Sequence, residues 1–394
     1  MSSNLSPTQP KSTSRFKRVS LRSIAFHAHR WIGLTAGMLL CIAGITGSIL
    51  VFWKEIDRSL LAHRFGTIIP TATTTSIPSI IDRLTATYAP KGLSVQHLRI
   101  ADRADLHYDA WLKDRAEHWW QVFVNPYTGE IMGDRQWETS WIGRIFDLHY
   151  KLFAGETGTL IMGIVALLSL ILSLTGIVLW PGWRRLITGF KIKWDAHPQR
   201  VNFDLHKVVG IITAVFLSLI SFTGFAWNVP TAKVEDAIYA ATFTPKAAAE
   251  PVSKTIAGKQ PLALALPELL ERVDAVFPTA KLTDIYLPSR PEDPFKVTKQ
   301  QPQETGEHGN TQIALDRFTG EVILIKDGAK PSRAEAIISQ FGTVHYGTFG
   351  GVPTRILYVF VGLAPTILAI TGFTMLRLRR GGKATRKEAI DGID

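Results

Sequence analysis

Four histidines precede four Thr-Gly pairs at two fixed distances. From His29 to Thr46-Gly47 and from His206 to Thr223-Gly224 the step to the threonine is 17 residues; from His149 to Thr175-Gly176 and from His345 to Thr371-Gly372 it is 26. Each pair lies inside a long apolar run, so the chain reads as two copies of one membrane unit. The spacing also singles out these four from eleven histidines. Imidazole is an axial ligand for haem iron and also suits zinc and copper. Two imidazoles on each side of a bilayer are what two haem irons need. A bare metal ion is the sharper rival, but no carboxylate or thiolate accompanies either pair at useful spacing.

The elements that must position these groups are charge-free runs: Trp31 to Trp53, Thr157 to Trp183, Val208 to Ala232 and Ile356 to Leu376. A span takes about 20 residues, and all four reach that. The first run follows a basic segment, but its 23 residues exceed the roughly 7–15 of a cleaved signal peptide's apolar region. An uncleaved span is expected. Residues 1–30 hold six Lys/Arg and no acid, residues 181–207 six against two, and residues 377–394 six against three. These segments contribute +13, so the rest of the chain sums to −2 against a formal total of +11. By the positive-inside rule both termini and the middle loop face the cytoplasm, and nucleic-acid binding loses its support. Cys41, the only cysteine, sits in the first run. That excludes an intrachain disulfide, a thiolate iron–sulfur site and CxxCH attachment, so any haem is non-covalent. Trp31, Trp53, Trp180, Trp183 and Trp227 lie near span ends and read as interfacial anchors.

The expected fold is a mainly α membrane protein with a four-helix core of two parallel repeats. Its parts are a basic cytoplasmic N-terminus (1–30), spans at 31–53, 157–180, 208–229 and 356–376, a basic loop (181–207) and a cytoplasmic tail (377–394). Two external lobes, 54–156 and 230–355, complete the chain and repeat each other. Ile77 to Ala89 and Leu266 to Phe277 have helical periodicity and open on Pro78 and Pro267. β-like runs follow at Leu93 to Ile100 and Lys281 to Leu287. Gln121 to Ile131 and Gln312 to Val322 read as strand, turn, strand, with Gly129 and Gly320 at the turns. Pro70 to Pro78 and Ala247 to Gln260 read as linkers.

Topology sorts the histidines into layers. His29 and His206 form an inner pair; each is followed four residues later by a glycine (Gly33, Gly210), which clears space one turn along for a flat ring. His149 and His345 form an outer pair, each with Tyr at +1, Phe at +4 and Gly at +6. At 1.5 Å per residue, Thr46 lies about 26 Å along the helix from His29. Thr46-Gly47 and Thr223-Gly224 therefore belong near the outer histidines, and Thr175-Gly176 and Thr371-Gly372 near the inner ones. There they form notches for close backbone approach of a haem ring. Such residues also serve plain helix packing, as Gly33-x-x-x-Gly37 can. His27 and His197 are alternative ligands. His63, His97, His107 and His308 have no repeat partner and read as surface residues. Lys113, Arg115, His118, Trp119 and Trp120 combine charge with aromatic area, either to receive an iron chelate or as exposed loop and lobe core.

The chain resembles the PepSY-associated transmembrane-helix family, which includes iron-regulated inner-membrane proteins and a ferric-siderophore reductase of Gram-negative bacteria. The resemblance rests on His29-Arg-Trp-Ile-Gly33 before Gly44-Ile-Thr-Gly47, the two Thr-Gly-Glu hairpins, Leu174-Thr-Gly-Ile177 leading to Trp180 and Arg184-Arg185, and His206-Lys-Val-Val-Gly210. It spans roughly residues 25 to 380. It implies small α+β PepSY-type periplasmic lobes and two b-type haems. The function it implies is an inner-membrane oxidoreductase that reduces ferric-siderophore iron to Fe(II). Some relatives carry a flavin-reductase domain; here the sequence runs 18 residues past its last span, so a quinol or a cytoplasmic reductase is the expected donor. Two other readings stand beside this. One is a PepSY-type regulator that binds a protease or partner protein. The other is an iron-chelate or haem transporter, disfavoured because the runs hold no Asp, Glu, Lys or Arg.

Overall fold

The first apolar run begins its helix well before its charges end, because Arg22 and Arg30 cost a helix little propensity. In the computed structural model, which describes residues 20–228, 231–246, 252–253, 262–304 and 309–391, helix α1 spans Leu21–Leu50. After it come α2 (Trp53–Phe65), α3 (Ile77–Tyr88), strands β1 (Ser94–Arg99), β2 (Tyr108–Lys113), β3 (Trp119–Val124) and β4 (Ile131–Gln136), then α4 (Trp141–Lys151). Next are α5 (Gly155–Leu179), α6 (Leu186–Phe190), α7 (Pro198–Asn228) and α8 (Thr231–Ala241). The remainder is α9 (Leu266–Val276), β5 (Lys281–Tyr286), β6 (Phe295–Gln300), β7 (Thr311–Leu315), β8 (Val322–Lys326), α10 (Arg333–Tyr346) and α11 (Gly351–Asp391). The linker expected at Ala247 to Gln260 and His308 lie largely or wholly outside the described residues.

Four helical stretches, Leu21–Leu50, Gly155–Trp183, Pro198–Asn228 and Thr348–Leu378, are long and apolar enough to cross a bilayer, with mean hydropathy of 1.9 to 2.6. Met38, Val215, Phe360 and Ile370 are among the large apolar side chains these helices leave exposed; in a membrane protein such a surface faces lipid. The chain divides into two compact units. One contains the chain up to Cys41, Leu168–Ser218 and the chain from Ala364; the other contains Ile42–Leu167 and Leu219–Leu363.

In the first unit, Arg22 donates to the carbonyls of Val178 (3.3 Å) and Leu179 (2.8 Å), satisfying the open end of α5. Trp180 is not an interfacial anchor. It is buried against Gly182 and Gly189, where any Cβ would clash with its ring. The buried Asp204 of α7 accepts from Lys207 Nζ (2.6 Å), Arg200 Nε (3.0 Å) and the Lys193 amide (3.2 Å). This fastens the loop before α7 to the turn that carries His206.

In the second unit, the strands of both external segments join one antiparallel sheet in the order β4-β3-β2-β1-β5-β6-β7-β8. The segments are thus not two separate lobes, since β1 pairs with β5 and each covers the other's open edge. Strand periodicity sends Leu98, Leu112, Val122, Ile285, Val297 and Ile313 to one face, where α3 and α9 complete the core with Ile80, Leu84, Leu269 and Val273. The two hairpins close alike. Asn125 and Asp316 each cap the following amides through Oδ1, and Gly129 (φ +64°) and Gly320 (φ +69°) take the left-handed position.

The opposite face carries His97, Arg99, Trp111, Trp119, Phe123 and Tyr286. His97 is not a surface residue: its Nε2 lies 2.8 Å from Asp284 Oδ1 and its ring stacks on Tyr286 at 4.5 Å. Burial opposes ionisation of Asp284, but His97 and Arg99 outweigh it and hold the carboxyl well below the usual range. His107 is likewise covered, packing its ring on Phe123 at 4.8 Å. On this face α2 is pinned by a bidentate pair, Arg135 to Asp57 at 2.7 and 2.6 Å, with both side chains nearly inaccessible. Asp57→Ala should therefore destabilise this unit by about 3–5 kcal/mol, the cost of stranding a buried charge. Thermal unfolding followed by tryptophan fluorescence checks it, and a change under 1 kcal/mol would contradict the role given to the pair.

Candidate functional site

The histidines that would do chemistry come together in two pairs, one in each unit. In the first unit, His29 of α1 and His206 of α7 have ring centres 6.2 Å apart at 84°. In the second, His149 of α4 and His345 of α10 have ring centres 6.5 Å apart at 71°. All four rings are half-buried. Both α1 and α7 start about two turns before their histidine, so that histidine sits within the helix and not at its mouth. Both α4 and α10 are separate short helices capped by serine, Ser140 accepting from Gly143 N and Ser332 from Glu335 N.

Each Thr-Gly pair holds one of these imidazoles. The Nδ1 atoms of His29, His206, His149 and His345 lie 2.9, 2.8, 2.9 and 2.8 Å from Oγ1 of Thr175, Thr371, Thr46 and Thr223. Every one of these hydroxyls also donates to the carbonyl four residues earlier in its own helix: Ile171, Ile367, Ile42 and Leu219. A hydroxyl has one proton, so each threonine must accept from imidazole Nδ1–H. The carbonyl three residues before each threonine (Leu172, Leu368, Ala43, Ile220) adds a second acceptor for that same proton. The tautomer follows. All four rings carry their proton on Nδ1 and keep the Nε2 lone pair for a ligand bond. Burial lowers the pKa of His149 to about 4 and of His345 to about 3, keeping both neutral.

One detail differs from the sequence expectation. The glycines of the Thr-Gly pairs make room for the imidazoles themselves: a Cβ would stand 3.0 Å from His149 Cε1 at Gly47, 3.3 Å from His345 Cε1 at Gly224, 3.4 Å from His29 Cε1 at Gly176 and 3.6 Å from His206 Cε1 at Gly372. At Gly33 and Gly210 a Cβ would meet only Leu172 Cδ2 at 3.8 Å and Leu368 Cδ2 at 3.6 Å, ordinary packing distances. The threonine hydroxyl was the functional group missed. Its signal was in plain view, since four threonines keep register with four histidines and glycine alone would explain a notch.

Among the described residues no third His, Cys, Asp or Glu joins either pair. Zinc sites ordinarily recruit at least three protein ligands, so two imidazoles without a third suit a metal whose other positions are filled by a macrocycle. His27 and His197 are exposed and lie outside both pairs. Lys113 pairs with Glu117, and His118 Nδ1 lies 3.1 Å from Asp114 Oδ2. Trp53 packs edge-on against Trp137 and Phe146.

No curated protein matches the chain. The family model for the PepSY-associated TM region matches residues 26–380, a stretch that holds all four histidines and all four threonines. By that match the chain belongs to the PepSY-associated TM region family.

Proposed function

We propose that the chain is a di-haem electron-transfer protein of the bacterial inner membrane that reduces ferric-siderophore iron outside that membrane. The observation that carries this reading is the fourfold imidazole–threonine arrangement, which leaves two Nε2 lone pairs at each site. The ring centres of each pair stand 6.2 and 6.5 Å apart, so both imidazoles of a pair would be near enough to hold one iron. When bound, haem would supply one-electron chemistry. The chain would supply imidazoles of fixed tautomer and apolar surroundings.

On this reading the chain is two parallel repeats with both termini cytoplasmic. His29 and His206 serve the donor end, where a quinol or a cytoplasmic reductase gives up electrons. His149 and His345 serve the acceptor end, on the same side as the shared PepSY-type sheet. One electron converts chelated Fe(III) to Fe(II), a weaker Lewis acid that hard oxygen donors hold less tightly. Visible spectra of the detergent-purified protein with and without dithionite, with haem quantified per chain, test the reading. Two b-type haems are expected; colourless protein from haem-replete cells would sink it and favour a regulator.

The glycines give a graded expectation. Gly47→Ala, with the tightest approach at 3.0 Å, should shift or broaden the spectrum of the His149–His345 centre, whereas Gly372→Ala, at 3.6 Å, should leave the His29–His206 centre unaltered. Equal effects of the two substitutions would mean that imidazole packing does not depend on these glycines.

A further inference from the structure

A cleft of about 700 Å³ opens on the sheet face opposite the core, between β1, β2, β3, β5 and helix α4. Small-molecule sites run roughly 300–1,000 Å³ and are mostly aromatic or apolar with a few polar groups. Trp111, Trp119, Trp137, Tyr150 and Tyr286 line this one. The rings of Trp111, Trp119, Trp137 and Tyr286 are already held by neighbours. Trp111 meets Trp137 at 5.2 Å and Trp119 at 6.3 Å, Trp137 meets Phe146 at 5.7 Å, and Tyr286 is held flat by His97, itself bonded to Asp284. Trp119, Tyr150 and Tyr286 nevertheless remain 36 to 41% exposed. Large rings that are both held and exposed, as Trp119 and Tyr286 are, lose little entropy when something stacks on them.

The charges of the lining balance, Arg99 and Lys151 against Glu138 and Asp147. Glu138 already accepts from the Trp119 amide, and Arg99 engages Asp284 through Nε. Recognition therefore falls on aromatic faces and not on net charge. The cleft also adjoins the His149 site, because Phe146, Asp147, Tyr150 and Lys151 of its wall flank His149 on α4. It exists because β1 pairs with β5, which sets Tyr286 opposite His97.

We infer that this cleft binds the iron chelate, and that it selects chelates bearing aryl rings (catecholate or phenolate) over those with aliphatic hydroxamate arms. The inference rests on the proposed reductase function for its substrate but on the cleft alone for its selectivity. Aromatic pairs contribute about 0.5–1.5 kcal/mol each beyond their buried area, so losing one stacking ring corresponds to up to about a tenfold change in affinity.

Gallium(III) chelates test it, because Ga(III) takes the ligand geometry of Fe(III) without accepting an electron. Calorimetric titration of the full-length protein should show a gallium tris-catecholate binding at least about tenfold more tightly than a gallium tris-hydroxamate with aliphatic arms. The preference should persist in 0.5 M salt, which screens exposed charge. Trp119→Leu should weaken the catecholate about tenfold, and Trp119→Phe should largely restore it. Equal binding of the two chelates, or a Trp119→Leu variant that binds like the parent, would overturn the inference, even in a protein that holds haem and reduces ferric chelates. Colourless protein that still prefers the catecholate and loses it in Trp119→Leu would uphold the cleft while removing the reductase reading.

Discussion

His206→Ala protein is expected to carry one haem per chain in place of two, and its rate of ferric-chelate reduction should fall by more than about 100-fold. Loss of a hydrogen-bond partner behind a metal ligand typically costs about 10–100-fold in affinity or activity; loss of the ligand itself must cost more. On the proposed reading, non-covalent haem would have only its bonds to the histidines and its packing to retain it, and His206 would supply one of the two imidazoles at its site. Because His29 lies opposite it with ring centres 6.2 Å apart, His29→Ala should remove the same spectral component. His149→Ala and His345→Ala should remove the other. Thr371→Val keeps the side-chain volume but takes the hydroxyl from His206 Nδ1, leaving the Leu368 carbonyl, so it should weaken that one centre by about 10–100-fold. Haem stoichiometry and a redox titration of each variant provide the check. If every single histidine substitution abolished both centres in protein that remained monodisperse and helical, the assignment of two independent pairs would fail.

The pairing of these residues was legible because two periodicities coincide. A duplicated sequence repeats each His-to-Thr interval, and helical rise converts the interval into position along a span. The hairpins at Gly129 and Gly320 and helices α3 and α9 were legible for local reasons: proline at the start, apolar periodicity, and Thr-Gly at the turn. Contacts set by tertiary structure were not. Nothing local reports that β1 and β5 share an edge, and with that pairing unseen His97 reads as a surface residue although it is bonded to Asp284. Trp180 shares its position near a span end with true anchors and differs only in meeting Gly189, nine residues on. Strand β2 was passed over although Tyr108, Ala110 and Leu112 alternate inward, because Lys113 at its end was read with the charged loop that follows. The separate helices α4 and α10 depend on left-handed backbone at Leu152 (φ +52°) and Phe153 (φ +58°), and at Gly347 (φ +69°). Only glycine announces such a conformation; leucine and phenylalanine conceal it.

That corner makes Gly158→Ala expected to disable the His149 site without altering any ligand. Between α4 and α5 the chain reverses through Leu152, Phe153 and Gly155, all at positive φ, and the Ala154 amide bonds the Lys151 carbonyl at 2.8 Å. The first turn of α5 then passes so near α4 that a Cβ on residue 158 would stand 1.5 Å from Lys151 O and 2.5 Å from its carbonyl carbon. Both obstructing atoms are backbone, so no side-chain rotation relieves the overlap, and the corner must open. Lys151 is two residues beyond His149 on the same helix; opening the corner draws Nδ1 away from Thr46 and parts the ring from His345. Loss of the second haem is therefore expected, as with His149→Ala. Gly155→Ala separates this from general strain. A Cβ there meets nothing within 4 Å, so the substitution costs only the left-handed penalty, about 1–2 kcal/mol, and should lower the melting temperature while keeping both haems. Should Gly158→Ala retain two haems and parental reduction rates, the tight corner would not be what holds His149 against Thr46, and the threonine bond alone would have to fix the ring.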